Sequence, residues 1–211
     1  MKKTIILAIL ILLTAIPSKT MAQRPITGKP AKDLFDRAYN NAFGPQGSSL
    51  NYAVNIIGIY KTEGKIFYKG EKSHYEEARY SAWVNGKTAY MVDKKKKTVG
   101  IYKADDDKKD EYLAKFKYDV NNFDFSYIEK GSTYELTAKI KDAGFFGIKR
   151  ITAVLDKSSL TPHSLTIKLA VFSTTVKISN FKKGGISDSI FEFPRQRFAD
   201  YKFTDNTKDK K

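Results

Sequence analysis

His74 and His163 are the only histidines in this 211-residue chain, and it contains no cysteine. Acid–base, nucleophilic or metal chemistry would therefore have to be assembled from a short supply. His74 lies in an alternating stretch beside Tyr75, Glu76 and Glu77, and His163 follows Pro162 at the start of a strand-like run. The two are far apart in sequence, and neither has metal-ligand spacing. Glu76 and Glu77 are neighbours on a predicted strand, so they point to opposite faces and cannot work as an acid–base pair. Gly86-Lys87-Thr88 matches the tail of a phosphate-binding loop. That motif needs a glycine where this chain has Ser81, and a helix where this chain continues as a strand. Asp105-Asp106-Asp107 could open a calcium loop, but the alternating ligands fail at Lys109 and no glycine follows in sixth place. There is no Gly-x-Ser-x-Gly elbow. The missing cysteine removes disulfides, thiolate catalysis and sulfur-bound zinc. These residues argue for no enzyme, and no metal or cofactor is expected. A hydrolase acting on anionic polymers would need two carboxylates brought into one cleft by folding.

The N-terminus predicts export. Lys2 and Lys3 precede an apolar run over 5–16 whose only polar break is Thr14. Thr20-Met21-Ala22 then supplies small residues at the two positions that signal peptidase reads, which predicts cleavage after Ala22. The run is about 12 residues, short of the roughly 20 that a membrane-spanning helix needs. Without cysteine, a lipidated N-terminus of the bacterial kind is excluded. The expected organisation is a signal peptide over 1–22 and one domain over 23–211.

The predicted mature chain carries 35 basic and 23 acidic residues, a net charge of +12. Much of that charge sits in Lys94 to Lys97, Lys108, Lys109, Lys208, Lys210 and Lys211, where solubility and edge protection account for it. Outside the cytoplasm a basic surface meets anionic lipid headgroups or acidic partners, and nucleic acid is not an expected one.

Periodicity supplies the elements. Leu34, Phe35, Ala38, Tyr39, Ala42 and Phe43 keep i, i+4 spacing, one stripe of an amphipathic helix over 33–43 that Gly44-Pro45 stops. From Leu50 the period changes to two. Strands are predicted at 50–59, 64–69, 72–84, 87–92, 98–103, 123–129, 134–141, 148–156, 163–172, 175–181 and 189–193. Asn85-Gly86 predicts a type I′ hairpin turn, in which both central residues take positive φ. Asp93-Lys94-Lys95-Lys96 predicts a second hairpin. Residues 104–118 break the rhythm, with Tyr112, Leu113 and Phe116 as the stripe of a short helix. The tail from Phe203 is polar and expected to fray. About eleven strands in sequence succession predict a mainly β fold, one antiparallel sheet curled into an unclosed barrel.

Fourteen phenylalanines, thirteen tyrosines and one tryptophan give such a sheet a heavy aromatic load. Packing across strands accounts for it first. A curled sheet with a helix across its mouth can also enclose a lipid-like ligand. The more apolar phase of each strand then offers Tyr52, Val54, Ile56, Ile66, Tyr68, Trp83, Tyr90, Leu136, Ile140, Leu165, Ile167 and Leu169 as cavity residues. One register slip would exchange the faces. Leu34 and Tyr39 of the first helix, with Tyr112, Leu113 and Phe116, are the lid candidates.

Several segments in order resemble the periplasmic lipoprotein carriers (LolA-like) and related outer-membrane lipoprotein-sorting proteins. After the signal peptide and first helix comes Gly64-Lys65-Ile66-Phe67-Tyr68-Lys69-Gly70, similar to that family's second strand. Trp83-Val84-Asn85-Gly86-Lys87-Thr88-Ala89-Tyr90-Met91-Val92-Asp93 is similar to its Asp-Gly-Lys-Thr hairpin. Ile178-Ser179-Asn180-Phe181 and Ser189-Ile190-Phe191-Glu192-Phe193-Pro194 resemble its last strands. The carriers usually place an arginine after the second strand; residues 69–75 contain none, and Tyr90 stands where tryptophan is common.

The resemblance implies an unclosed barrel with a helical lid over an apolar concavity. It also implies a monomeric, non-enzymatic periplasmic carrier of lipid or lipidated protein, in transient contact with envelope membrane proteins. The alternative is a β-rich binding module that docks on an envelope partner, its aromatics filling a solid core.

Overall fold

The computed structural model describes residues 23–56, 60–105, 122–141, 148–170 and 172–207. Among the described residues one α-helix, α1 (Lys29–Phe43), and two short 3-10 turns (Asp188–Phe191 and Arg195–Phe198) accompany thirteen strands. The strands are β1 (Ile26–Thr27), β2 (Ser48–Ile56), β3 (Tyr60–Lys69), β4 (Lys72–Glu77), β5 (Tyr80–Val84), β6 (Thr88–Asp93) and β7 (Thr98–Lys103). They continue with β8 (Phe123–Lys130), β9 (Thr133–Ile140), β10 (Arg150–Asp156), β11 (Pro162–Lys168), β12 (Ser173–Lys183) and β13 (Lys202–Asp205).

All thirteen form one sheet in the order β1-β8-β9-β10-β11-β12-β2-β3-β4-β5-β6-β7-β13. Strands β2 to β7 run outward from the centre, and β8 to β12 run back inward until β12 pairs with β2. Among the described residues β1 and β13 are the two edges and do not pair with each other, so the fold is mainly β and unclosed. The connection from β7 to β8 passes through 106–121, so the expected mid-chain helix with Tyr112, Leu113 and Phe116 lies outside the described residues.

The hairpins follow local chemistry, with corrections. The turn after β5 is centred on Gly86-Lys87, not Asn85-Gly86. Only Gly86 has positive φ (92°), while Asn85 Oδ1 accepts the N–H groups of Lys87 (3.1 Å) and Thr88 (2.9 Å). Asn85 thus closes the turn with its side chain as well as with its backbone N–H, which donates to Thr88 O (3.1 Å), and the type I′ geometry is not formed because Lys87 does not take positive φ. The second hairpin works the same way, Asp93 Oδ1 accepting from Lys95 N and Lys96 N, both at 3.0 Å.

Residues 72–84 are two strands, because the chain turns at Ala78-Arg79 between β4 and β5. The strand expected at 189–193 is a 3-10 turn, Asp188–Phe191, capped where Ser187 Oγ accepts from Ser189 N (3.4 Å) and followed by Pro194, which has no N–H for a ladder. The tail is not frayed at Phe203: β13 pairs parallel to β7, with Phe203 beside Val99.

Helix α1 starts earlier than its apolar stripe, at Gly28, with Pro30 in the first turn, where a missing N–H costs nothing. It ends at Gly44, where a Cβ would lie 2.4 Å from Asn40 O. The helix carries the chain from edge strand β1 to central strand β2 and lies across one face of the sheet. Ala31 packs there with Phe125 and Ala138, and Leu34 with Leu136 and Leu155.

Candidate functional site

Cross-strand partners share a face, so register traces that face away from the helix. One row of partners runs Leu136, Ala153, Leu165, Val176, Val54 and Thr62, from β9 to β3. Beside it run Ala138, Ile151, Ile167 and Thr174. A third row runs Leu50, Ile66, Tyr75, Ala82 and Met91 into the other arm. On the face that α1 crosses, the first row is therefore apolar without a break through the centre of the sheet, from Leu136 to Val54.

Of the sequence-predicted residues, Tyr52, Val54, Ile56, Ile66, Tyr68, Leu136, Ile140, Leu165 and Ile167 lie on this face. Leu169 lies past the end of β11, where its N–H donates to Phe172 O (2.9 Å) in the hairpin turn. Trp83 and Tyr90 pair with each other on the opposite face. Of the lid candidates, Leu34 is buried under α1 and Tyr39 is exposed.

Burial divides the helix-bearing face. Under α1 it is sealed, with Leu34, Leu136 and Leu155 at most 4 % exposed. Toward the centre, Tyr52, Val54, Ile56, Ile66, Leu165, Ile167 and Val176 are only half-buried. At its C-terminal end α1 meets the other arm, Phe43 packing edge-on against Tyr68 at 4.7 Å. Burial, reinforced by Tyr39, pushes the Tyr68 hydroxyl well above the usual tyrosine value.

Polar groups on this face are few. Tyr52 Oη donates to Glu77 Oε1 (2.5 Å), and its ring reaches across β3 because residue 64 is glycine. A Cβ there would lie 2.9 Å from that ring. Thr174 Oγ1, on the row with Ile167, is buried with no hydrogen-bond partner among the described residues.

The opposite face of the β4–β7 arm is closed by the C-terminal segment. Its row runs Phe67, His74, Trp83, Tyr90 and Ile101. Trp83, Val92 and Val99 are at most 3 % exposed beneath Phe198, with Phe193, Tyr201 and Phe203 packed around them. Glu76 lies on this side and takes Arg197 Nη2 (2.8 Å) and Lys94 Nζ (3.4 Å), whereas its neighbour Glu77 serves the helix-bearing face. The two carboxylates are therefore split by the sheet, as strand geometry requires. Sequence reading missed this aromatic clamp, whose two halves stand about a hundred residues apart (roughly, by chain position) and signal no local pattern.

Two shallow depressions, of about 620 and 450 Å³, sit on the rim near the C-terminal end of α1 and the end of β12. The larger is lined by Pro45, Lys69 and Gly184 to Ser187, the smaller by Arg37, Tyr134, Leu160 and Lys183 among others.

No protein-family model matches the chain, and no curated protein matches it in sequence. Among solved structures, an uncharacterized conserved protein from Thermus thermophilus aligns over 84 % of this chain and all of its own, with a TM-score of 0.57 at 9 % identity. The two share a fold. A LolA superfamily protein from Nitrosomonas europaea aligns over 80 % of this chain and 98 % of its own, with a TM-score of 0.42 at 9 % identity. A putative outer membrane lipoprotein-sorting protein domain from Vibrio parahaemolyticus covers the same shares, with a TM-score of 0.41 at 8 % identity. These two likenesses fall below the level at which a shared fold can be argued.

Proposed function

We propose that the chain is a non-enzymatic carrier that holds acyl chains of a lipid or a lipidated protein against the helix-bearing face, in the periplasm, after removal of residues 1–22. One observation carries the reading. The half-buried apolar row from Leu165 through Val176 to Val54 continues the sealed cluster beneath α1 without a polar break. An acyl chain laid along it would gain roughly 0.8 kcal/mol per buried CH₂. Helix α1 spans from the sealed part to Tyr68 and is the element whose shift would enlarge the contact.

Tyr52, Val54, Ile56, Ile66, Tyr68, Leu165 and Ile167 are the proposed contact residues. Leu136 and Ile140 form the floor beneath the helix end of the face. Trp83 and Tyr90 are left to the clamp behind the sheet. Transient docking on envelope membrane proteins, a monomeric state and a role in outer-membrane lipoprotein sorting belong to the same proposal.

Titration with a fluorescent acyl probe, alongside native mass spectrometry of protein purified from its own envelope, tests it. Saturable uptake or a copurified lipid is expected. Absence of both would sink the carrier reading. The second reading, a β-rich module that docks on an envelope partner, draws on the solid Trp83–Phe198 cluster and would then take its place.

A further inference from the structure

The two rim depressions differ in how their cations are used. In the larger, Lys69 Nζ faces Asp188 Oδ2 (3.3 Å) and Ile186 O (3.2 Å), while Lys72 takes the other Asp188 oxygen (2.9 Å). Its one lining lysine thus has a carboxylate beside it, although Asp188 is shared with Lys72. In the smaller, Lys157 meets Glu129 Oε2 (2.7 Å), but Arg37 and Lys183 have no carboxylate partner among the described residues. The carboxylate of the adjoining turn is already taken. Asp156 Oδ1 accepts from the N–H and O–H of both Ser158 and Ser159, which holds this group well below the usual carboxylate range.

This depression also has a fixed shape and an apolar floor. Asn41 Nδ2 donates to Ser159 O (3.2 Å) and Leu160 O (3.3 Å), tying α1 to the β10–β11 turn. Tyr134 and Leu160 line the bottom and belong to the cluster of Leu34, Leu136 and Leu155 beneath the helix. Cations from two different elements, α1 and β12, thus converge above the margin of the apolar face.

We propose that this depression binds the phosphate of an acyl-bearing ligand. Arg37 would grip it through its planar fork, Lys183 would supply the second charge, and Asn40 an amide donor. A guanidinium and an ammonium with no anion beside them among the described residues suit a group that offers several oxygens and a full negative charge. The apolar part of the ligand would pass over Tyr134 and Leu160 toward the face, and that part rests on the carrier reading.

Calorimetric titration of the purified chain with dioctanoyl phosphatidic acid, dioctanoylglycerol and inorganic phosphate tests it. Phosphatidic acid is expected to bind at least about tenfold tighter than dioctanoylglycerol, since one charge-assisted bond accounts for that factor. The exposed pair R37Q/K183Q should erase the difference, and added salt should weaken phosphatidic acid alone. A preference that survives R37Q/K183Q, or that salt leaves untouched, overturns the site. Inorganic phosphate binding as tightly as phosphatidic acid overturns the acyl-bearing ligand. If dioctanoylglycerol fails to bind while phosphatidic acid binds through Arg37 and Lys183, the carrier reading falls and the phosphate site stands.

Discussion

The two sides of the sheet are closed in different ways, one by rings and one by a helix. Behind the β4–β7 arm, Trp83 takes Phe193 and Phe198 edge-on at 5.4 and 5.7 Å, and Tyr90 stacks on Phe193 at 4.3 Å. On the helix-bearing face, Leu34 and Ala31 seal only the region that α1 covers, and the apolar rows continue beyond it half-buried. Interlocked rings fill space in one arrangement and yield little. An aliphatic face whose cover, among the described residues, is one helix can lose it by one rigid shift. On this contrast the clamp holds the fold together, and α1 would govern ligand exchange in the proposed carrier.

Removing a clamp ring should therefore have the largest effect. Phe198 is 2 % exposed and packs against Trp83, Phe193 and Tyr201. Phe198→Ala should cost about 3–5 kcal/mol in urea unfolding, the usual range for a buried ring. Leu34→Ala should cost less, about 3 kcal/mol, and should also speed acyl-probe binding by loosening α1. If Phe198→Ala speeds probe binding as much as Leu34→Ala does, the division of labour is wrong.

Much of this was legible from periodicity. The helix, the succession of hairpins and the unclosed antiparallel sheet all follow from where the apolar period is 3.6 and where it is two. The phase of the β5–β6 hairpin was not. Its two phases, Ala82 with Val84 and Ser81 with Trp83, both carry apolar side chains, so local alternation does not say which is covered. The cover over Trp83 comes from Phe193 and Phe198, and a contact at that separation leaves no trace in a window of a dozen residues. Strand β13 escaped for a related reason: Lys202–Asp205 is polar, and its place is set by backbone pairing to Thr98–Ile101. Arg37 and Lys183, without a carboxylate partner among the described residues, were equally hidden, because only the fold reveals which lysines and arginines have an anion beside them.

A smaller effect separates the faces directly. Leu165 lies half-buried between Ala153 and Val176 on the proposed acyl row. Leu165→Ala removes contact worth about 1–2 kcal/mol to a bound chain, so probe affinity should fall roughly tenfold while the urea midpoint moves little. Trp83→Leu should do the reverse, lowering the midpoint and leaving probe affinity in place. Equal losses of affinity in the two variants would erase the distinction between the faces.

The smallest effect is the response to pH, and it belongs to the clamp. His74 is buried between Phe67 (5.7 Å) and Trp83 (4.4 Å), and its Nδ1 bonds Ala82 O (2.9 Å), which places the proton there. Burial lowers its pKa; Ala82 O and Glu76 pull it up, and Arg197 and Lys94 push it down again. The folded chain thus keeps His74 neutral where the unfolded chain has protonated it. The unfolded state binds more protons, so stability is lost as pH falls through the ordinary histidine value of about 6.5. Burial raises the pKa of Glu76, but Arg197 and Lys94 outweigh that and hold the carboxylate low, so its share is lost only at more acidic pH. Urea midpoints between about pH 7.5 and 5.5 should fall in the native chain and stay flatter in His74→Gln. Equal slopes would remove His74 as the source. Probe affinity should not follow His74 across that window, because the ring lies on the far side of the sheet from the acyl row. If affinity tracks the histidine, clamp and carrier face are coupled and the contrast between them fails.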